Sequence, residues 1–176
     1  RVVQVKQEEL SAAERYARAK TKQSAPSYNS FLELLEFALD PFQEQACHAL
    51  AKEKGVLVAA PTGAGKTIVG EFAIHLAIEK KQKVFYTTPI KALRNQKFAE
   101  LVARYGPERV GLLTGDTNQN SDAQIVVMTT EVLRNMIYAN SDSLIELGYV
   151  VMDEVHYLAD RFRGAVWEEV ILHLPK

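Results

Sequence analysis

Gly55-Val56-Leu57-Val58-Ala59-Ala60-Pro61-Thr62-Gly63-Ala64-Gly65-Lys66-Thr67 joins an apolar, β-branched run to two glycines, a lysine and a hydroxyl. The segment that follows, Ile68 to Ile78, repeats its apolar residues at helical spacing. Strand, glycine-rich turn, Lys-Thr and helix form a phosphate-binding loop, and each residue type has a task there. Gly63 and Gly65 permit backbone angles and a close approach that a Cβ would block. The free N–H groups at the helix start, Pro61 to Lys66 leading into it, cradle an anion with the help of the helix dipole. Lys66 reaches the outer phosphates, and the Thr67 hydroxyl ligates Mg²⁺. The general pattern has glycine where this chain has Ala60, another small residue. The plainer alternative is a strand-to-helix turn with an incidental lysine, and the flanking strand and helix argue against it. The expected ligands are a nucleoside triphosphate and Mg²⁺.

A second group lies further on. Tyr149-Val150-Val151-Met152-Asp153-Glu154-Val155-His156 places two carboxylates at the end of a buried strand. Asp153 stands where a phosphate-loop enzyme needs a Mg²⁺ ligand, and Glu154 where one needs a group to orient or deprotonate the attacking water. Taken alone, Asp-Glu after a strand could equally cap the next helix; paired with the loop, that reading loses ground. His156 lacks a second histidine or a cysteine at ligand spacing, so a hydrogen-bonding link to the nucleotide site suits it better than metal binding. His48, His75 and His173 fall in helical patterns and read as surface or core residues.

The intervening chain must carry these groups. Helical pattern over Phe42–Lys54 precedes a strand at Val56–Ala60, and a helix follows over Lys66–Lys80. Strands are predicted at Lys83–Thr88, Val110–Leu113, Gln124–Met128 and Tyr149–Met152, with helices at Ile90–Tyr105, Thr130–Ala139 and Trp167–Leu174. Buried, non-alternating strands that alternate with helices predict an α/β fold with a mostly parallel sheet covered on both faces. Ligands bind at the carboxyl ends of such strands, where both polar groups fall. Ahead of this lie a helix over about Lys6–Lys20, a linker over Thr21–Ser30 around Ser-Ala-Pro-Ser, and a short helix over Phe31–Leu39. The expected division is therefore an N-terminal helical arm and linker, residues 1–30, and an α/β domain, residues 31–176.

With 47% hydrophobic and 24% charged residues, the chain can bury one ordinary core. It shows neither an apolar run long enough to span a membrane nor a secretory leader, and it starts at Arg1, as a trimmed or partial sequence would. Cys47, the single cysteine, rules out an internal disulfide framework and suits a reducing, cytoplasmic setting. The net charge of −1 says nothing general about nucleic acid, but its distribution is uneven. Residues 80–109 carry a net of +6 and residues 110–160 a net of −7. A solvated helix face explains such asymmetry, and so does a phosphate-contacting patch beside an acidic metal site.

Together, Ala60 to Thr67 and Asp153-Glu154-Val155-His156 resemble a DExH-box helicase of superfamily two. Thr87-Thr88-Pro89-Ile90-Lys91-Ala92-Leu93-Arg94-Asn95-Gln96-Lys97 closely resembles a nucleic-acid motif of the superkiller-type RNA helicases, which work with RNA-decay machinery. Gly111 to Asp116 and Met128 to Arg134 resemble the next two such motifs, and Arg163-Gly164-Ala165-Val166-Trp167-Glu168-Glu169 a further stretch of that family, at which DNA-directed relatives usually differ. The resemblance covers residues 40–176, is strongest to the actinobacterial HelY-like branch, and does not extend to residues 1–30.

The resemblance implies a RecA-like domain and several roles. Gln43, after Phe42, falls where the family reads adenine, and an amide matches both edges of that base; a solvated helix-start glutamine is the plain alternative. Pro89, Lys91, Arg94 and Asn95 open a helix at a strand end, where RNA phosphates could be held. Thr114, Gly115, Thr129 and Thr130 are small donors at neighbouring strand ends, suited to backbone contacts with RNA or to turn and cap chemistry. The implied partners are single-stranded or partly duplex RNA, RNA-decay nucleases, and a second RecA-like domain of the same protein. That second domain, the family's Ser-Ala-Thr motif and the arginines that complete the site all lie outside this sequence. The expected function is half of an ATP-dependent RNA helicase moving three-prime to five-prime. A DNA translocase and an idle nucleotide-binding scaffold are the competing classes. An intact set of Lys66, Thr67, Asp153 and Glu154 argues against the scaffold.

Overall fold

A computed structural model of the chain describes residues 2–6, 26–61, 63–154 and 170–171, and every structural statement below concerns those residues. They fall into two compact units, residues 1–79 and 80–176.

In the first unit, strand β1 (Val2–Lys6) pairs in parallel with β2 (Gly55–Ala59), Val2 opposite Gly55 and Lys6 opposite Ala59. Nothing in the sequence reading marked β1, although Val-Val-Gln-Val is rich in β-branched residues. Lys6, expected to open a helix, is the last residue of this strand, and the remainder of that expected helix, residues 7–20, lies outside the described residues. Helix α1 spans Pro26–Glu33, so the expected linker over Thr21–Ser30 is in part helical and the helix expected at Phe31–Leu39 ends early. Proline was read as a loop marker, yet it is equally a favoured first helical residue, with φ already helical and no N–H to satisfy. From α1, Tyr28 and Phe31 are buried, with their rings 6.0 and 5.0 Å from Phe72. Phe72 belongs to α3 (Thr67–Glu79). Between them, α2 (Pro41–Ala51) also starts on a proline and buries Phe42, Gln43, Ala46 and Cys47. His48 lies tilted against Tyr28, with 4.3 Å between centroids, and His75 packs beside Phe31 and Phe72, 5.4 and 6.3 Å away. Both are core-edge histidines, as expected; His173 is outside the described residues.

The second unit is a five-stranded sheet in the order β5-β4-β6-β3-β7. Its strands are β3 (Lys83–Thr88), β4 (Val110–Leu113), β5 (Asn118–Gln119), β6 (Ile125–Thr129) and β7 (Leu147–Met152). Every pairing is parallel except β4 with β5. The α/β, mostly parallel architecture is the expected one. The central strands β3 and β6 are buried almost throughout, as strands covered on both faces must be. Helix α4 (Lys91–Tyr105) follows β3 and helix α5 (Thr130–Tyr138) follows β6. Phe85, Val126, Met128, Leu133 and Val170 form a core cluster of this unit. Of the expected closing helix, Trp167–Leu174, only Val170 and Ile171 are described, and both are helical.

Candidate functional site

The loop between β2 and α3 has the geometry its residue types require. Gly63 and Gly65 take φ of +82° and +75°, the left-handed region that a side chain disfavours. The two glycines differ in what surrounds them. A Cβ on Gly63 would meet nothing within 4 Å, whereas one on Gly65 would come within 2.6 Å of the Gln43 side-chain nitrogen. Gly65 is therefore needed for close approach as well as for φ.

That neighbour is the glutamine singled out from sequence. Gln43 is 4% exposed. Its Oε1 accepts from the Asp40 N–H at 2.8 Å, closing the first turn of α2. Its Nε2 donates to the Gly65 carbonyl at 2.9 Å and the Ala64 carbonyl at 3.5 Å. The solvated alternative for Gln43 does not hold. Phe42 packs beside it against Ala60 and Ala64, in a cluster with Ala46 and Val69. So Phe42, Gln43, Ala64, Gly65 and the α2 start brace one loop.

Lys66 Nζ donates to the Ala60 carbonyl at 2.8 Å and the Pro61 carbonyl at 3.1 Å, which keeps the ammonium at the mouth of the loop. A phosphate would replace these neutral acceptors with charged ones, a stronger interaction. Thr67 is exposed as the first residue of α3. Thr62 lies outside the described residues.

In the second unit the registers align several strand ends. Thr88 is opposite Thr129, Thr87 opposite Met152, and Leu112 opposite Val127. Asp153, Thr88, Thr129 and Thr114 thus emerge along one carboxyl edge of the sheet. The Asp153 N–H continues the ladder to the Thr87 carbonyl at 3.0 Å. Its carboxylate is held on both oxygens: Oδ2 accepts from Tyr86 Oη at 2.8 Å and Oδ1 from the Glu154 N–H at 2.9 Å. Glu154 has φ of +57°, a left-handed angle that costs a non-glycine residue about 1–2 kcal/mol. Strain of this kind gathers at functional sites. His156 lies outside the described residues.

The predicted nucleic-acid residues divide. Pro89 is buried at the β3 end, and Lys91 is exposed on the first turn of α4. Ile90 occupies the N-cap of α4 with no side-chain cap, so no capping side chain competes for its leading N–H groups. Arg94 is only 7% exposed, and its Nε and Nη2 both donate to Asn95 Oδ1, at 3.2 and 2.9 Å. Arg94 and Asn95 act as a pair. Thr114 Oγ1 accepts from the N–H groups of Asp116 and Thr117 at 3.1 and 2.7 Å, which is turn chemistry. Gly115, beside it, is exposed. Thr129 sits at the N-cap of α5 without forming a side-chain cap, and Thr130 Oγ1 is buried with no hydrogen-bond partner among the described residues.

Tyr86 carries no functional mark in the sequence: it sits among core residues of a buried strand, and only the register brings its hydroxyl to Asp153.

Residues 40–176 match the family model described as DEAD/DEAH box helicase. The chain is 67% identical over 141 residues to a probable helicase HelY of Mycobacterium leprae, covering 80% of this chain and 15% of that protein. It is 50% identical over 139 residues to the ATP-dependent RNA helicase mtr4 of Schizosaccharomyces pombe, covering 79% of this chain and 12% of that protein. Among solved structures, the helicase MrfA superposes with a TM-score of 0.66 at 22% identity, covering 87% of this chain and 27% of MrfA; this likeness bears on the fold alone. The chain thus spans well under a fifth of the length of these curated relatives.

Proposed function

The chain belongs to the DEAD/DEAH box helicase family, and on that premise we propose that it is the nucleotide-binding first lobe of an ATP-dependent RNA helicase. The observation that carries the proposal is the braced loop: Gly63 and Gly65 at positive φ, Gly65 under the Gln43 amide, and Lys66 at the mouth. In this reading the loop N–H groups and Lys66 hold the phosphates of ATP. Gln43 and Phe42 support the loop; both ends of the Gln43 amide are engaged, by Asp40 and by Gly65, so reading adenine would require the amide to leave those partners.

By residue type alone, the proposed donors suit Mg²⁺. Thr67 supplies a hydroxyl and Asp153 a carboxylate, hard oxygen ligands of the kind Mg²⁺ takes alongside substrate phosphates. Among the described residues no group of three or more His, Cys, Asp or Glu could form a protein cage for a metal, and such a site needs none. When bound, the ion neutralises charge developing on the phosphates. Glu154 would orient the attacking water and take its proton, and the coupling role of His156 rests on the family resemblance alone.

RNA is the proposed substrate, in keeping with the relative named as an RNA helicase. Its phosphates would lie along the edge formed by Pro89, Lys91, the Arg94–Asn95 pair, Thr114, Gly115, Thr129 and Thr130, read without regard to base sequence. Movement three-prime to five-prime, work beside RNA-decay nucleases and a cytoplasmic setting complete the proposal. No helix among the described residues is long and apolar enough to cross a membrane. Full turnover requires a second lobe whose cation reaches the transition state, a contribution of about a thousandfold or more.

The test compares ATP turnover by this chain and by the longer protein carrying it, each with Mg²⁺ and with single-stranded RNA or DNA. RNA stimulation confined to the longer protein supports the proposal; preferential stimulation by DNA replaces RNA with DNA as its substrate.

A further inference from the structure

Tyr86 occupies the middle of β3 and is buried, so its ring is a core residue by position. Its hydroxyl, however, donates at 2.8 Å to Asp153 Oδ2. On the ring face stands a cation: Lys97 Nζ, from the second turn of α4, is 5.5 Å from the ring centroid. Lys97 is held in place by Glu100 Oε2 at 2.6 Å. A cation over a phenol ring is attracted to its π face and draws electron density from the hydroxyl, which makes the hydroxyl a stronger donor. One continuous series of contacts therefore runs from α4, the helix opened by Lys91 and Arg94, through Lys97 and Tyr86 to the carboxylate of Asp153.

A ligating carboxylate left without hydrogen-bonding support rotates among several orientations, and binding a metal must then fix it. Asp153 has support on both oxygens, from Tyr86 and from the Glu154 N–H, and each oxygen keeps lone-pair capacity for a cation. We propose that Tyr86 is a positioning residue for the metal-binding carboxylate of Asp153, and that Lys97 tunes it from the helix that faces nucleic acid. The inference rests on the assignment of Asp153 as a Mg²⁺ ligand in the proposed function.

The experiment titrates this chain with a fluorescent adenine nucleotide, first without divalent ion and then at rising Mg²⁺. Tyr86→Phe keeps the ring and its packing and removes only the hydroxyl. The Mg²⁺ needed for half-maximal tightening should rise about tenfold, the usual effect of losing a partner of a metal ligand. Metal-free nucleotide affinity should stay within about twofold, as should the urea midpoint, since the volume is kept. Lys97→Met, which retains the stem and removes the charge, should shift the Mg²⁺ requirement in the same direction by less. An unchanged Mg²⁺ requirement in Tyr86→Phe overturns the inference. Equal loss of metal-free and Mg²⁺-dependent affinity also overturns it, because the residue would then be structural. A wild-type chain that binds nucleotide with no response to Mg²⁺, or not at all, removes instead the assignment on which the inference stands.

Discussion

Gly65→Ala tests how the phosphate loop is held. The new methyl group would impose a left-handed φ of +75° on alanine, which costs about 1–2 kcal/mol. It would also lie 2.6 Å from Gln43 Nε2, so the amide must swing away from the Gly65 carbonyl it now meets at 2.9 Å. Losing that hydrogen bond adds about 1 kcal/mol. The expected total is about 2–3 kcal/mol. Gly63→Ala is the internal control: its φ is +82° and its Cβ would meet nothing within 4 Å, so only the strain of about 1–2 kcal/mol applies. Urea denaturation followed by circular dichroism, with the m-value checked for constancy, reads these differences. The decisive comparison repeats Gly65→Ala in a Gln43→Ala background, where the amide no longer stands in the way. There the cost should fall to strain alone, a coupling of about 1 kcal/mol between the two positions. If Gly65→Ala costs as much with Gln43 removed as with it present, the amide does not brace the loop and the reasoning fails.

Four further outcomes are expected. Lys66→Ala should weaken nucleotide binding at least tenfold in a fluorescence titration, since a charge-assisted phosphate contact disappears; unchanged affinity would remove the loop from the site. Glu154→Gln, in the longer protein, should leave ATP affinity intact and abolish turnover, and retained turnover would exclude Glu154 as the water-activating group. Burial, aided by Glu44, pushes the Cys47 thiol up to about 12 from 9.0, so the folded chain should resist a thiol reagent at pH 8. A raised acid of this kind favours the folded state fully below pH 9, and that contribution should be lost between pH 9 and 12. Glu79 is held below its ordinary 4.5 chiefly by the Ser27 hydroxyl, with Ser30 and His75 assisting. Its stabilising effect is present above pH 4.5 and lost below, so Glu79→Gln should flatten the acid limb of a stability–pH curve.

The sequence made the strands and the loop legible because their signals are local. Lys83–Thr88 and Val110–Leu113 match their expected bounds, the first because Val-Phe-Tyr-Thr-Thr is an unbroken β-branched and aromatic run that admits few other structures. Gly63, Gly65 and Lys66 revealed the loop because only those types permit its backbone and charge. What stayed hidden depends on register or on rival uses of one residue. Tyr86 meets Asp153 across 67 positions of chain, through the β3–β7 pairing that no local pattern records. Arg94 is expected to hold RNA phosphates, and its burial follows from which side of α4 faces the sheet. Pro26 serves equally as a loop marker and as a helix start, and the aromatic contacts of Tyr28 and Phe31 decide between them. Asn118–Gln119 is too short and polar to carry any strand signal.

The central claim is that this chain holds Mg²⁺-ATP through the Gly63–Thr67 loop, and calorimetric titration of the chain with a slowly hydrolysed ATP analogue tests it directly. Saturable binding of one equivalent, tightened by Mg²⁺ and lost in Lys66→Ala, is the predicted result. No binding by the wild-type chain, or equal binding by Lys66→Ala, would contradict it.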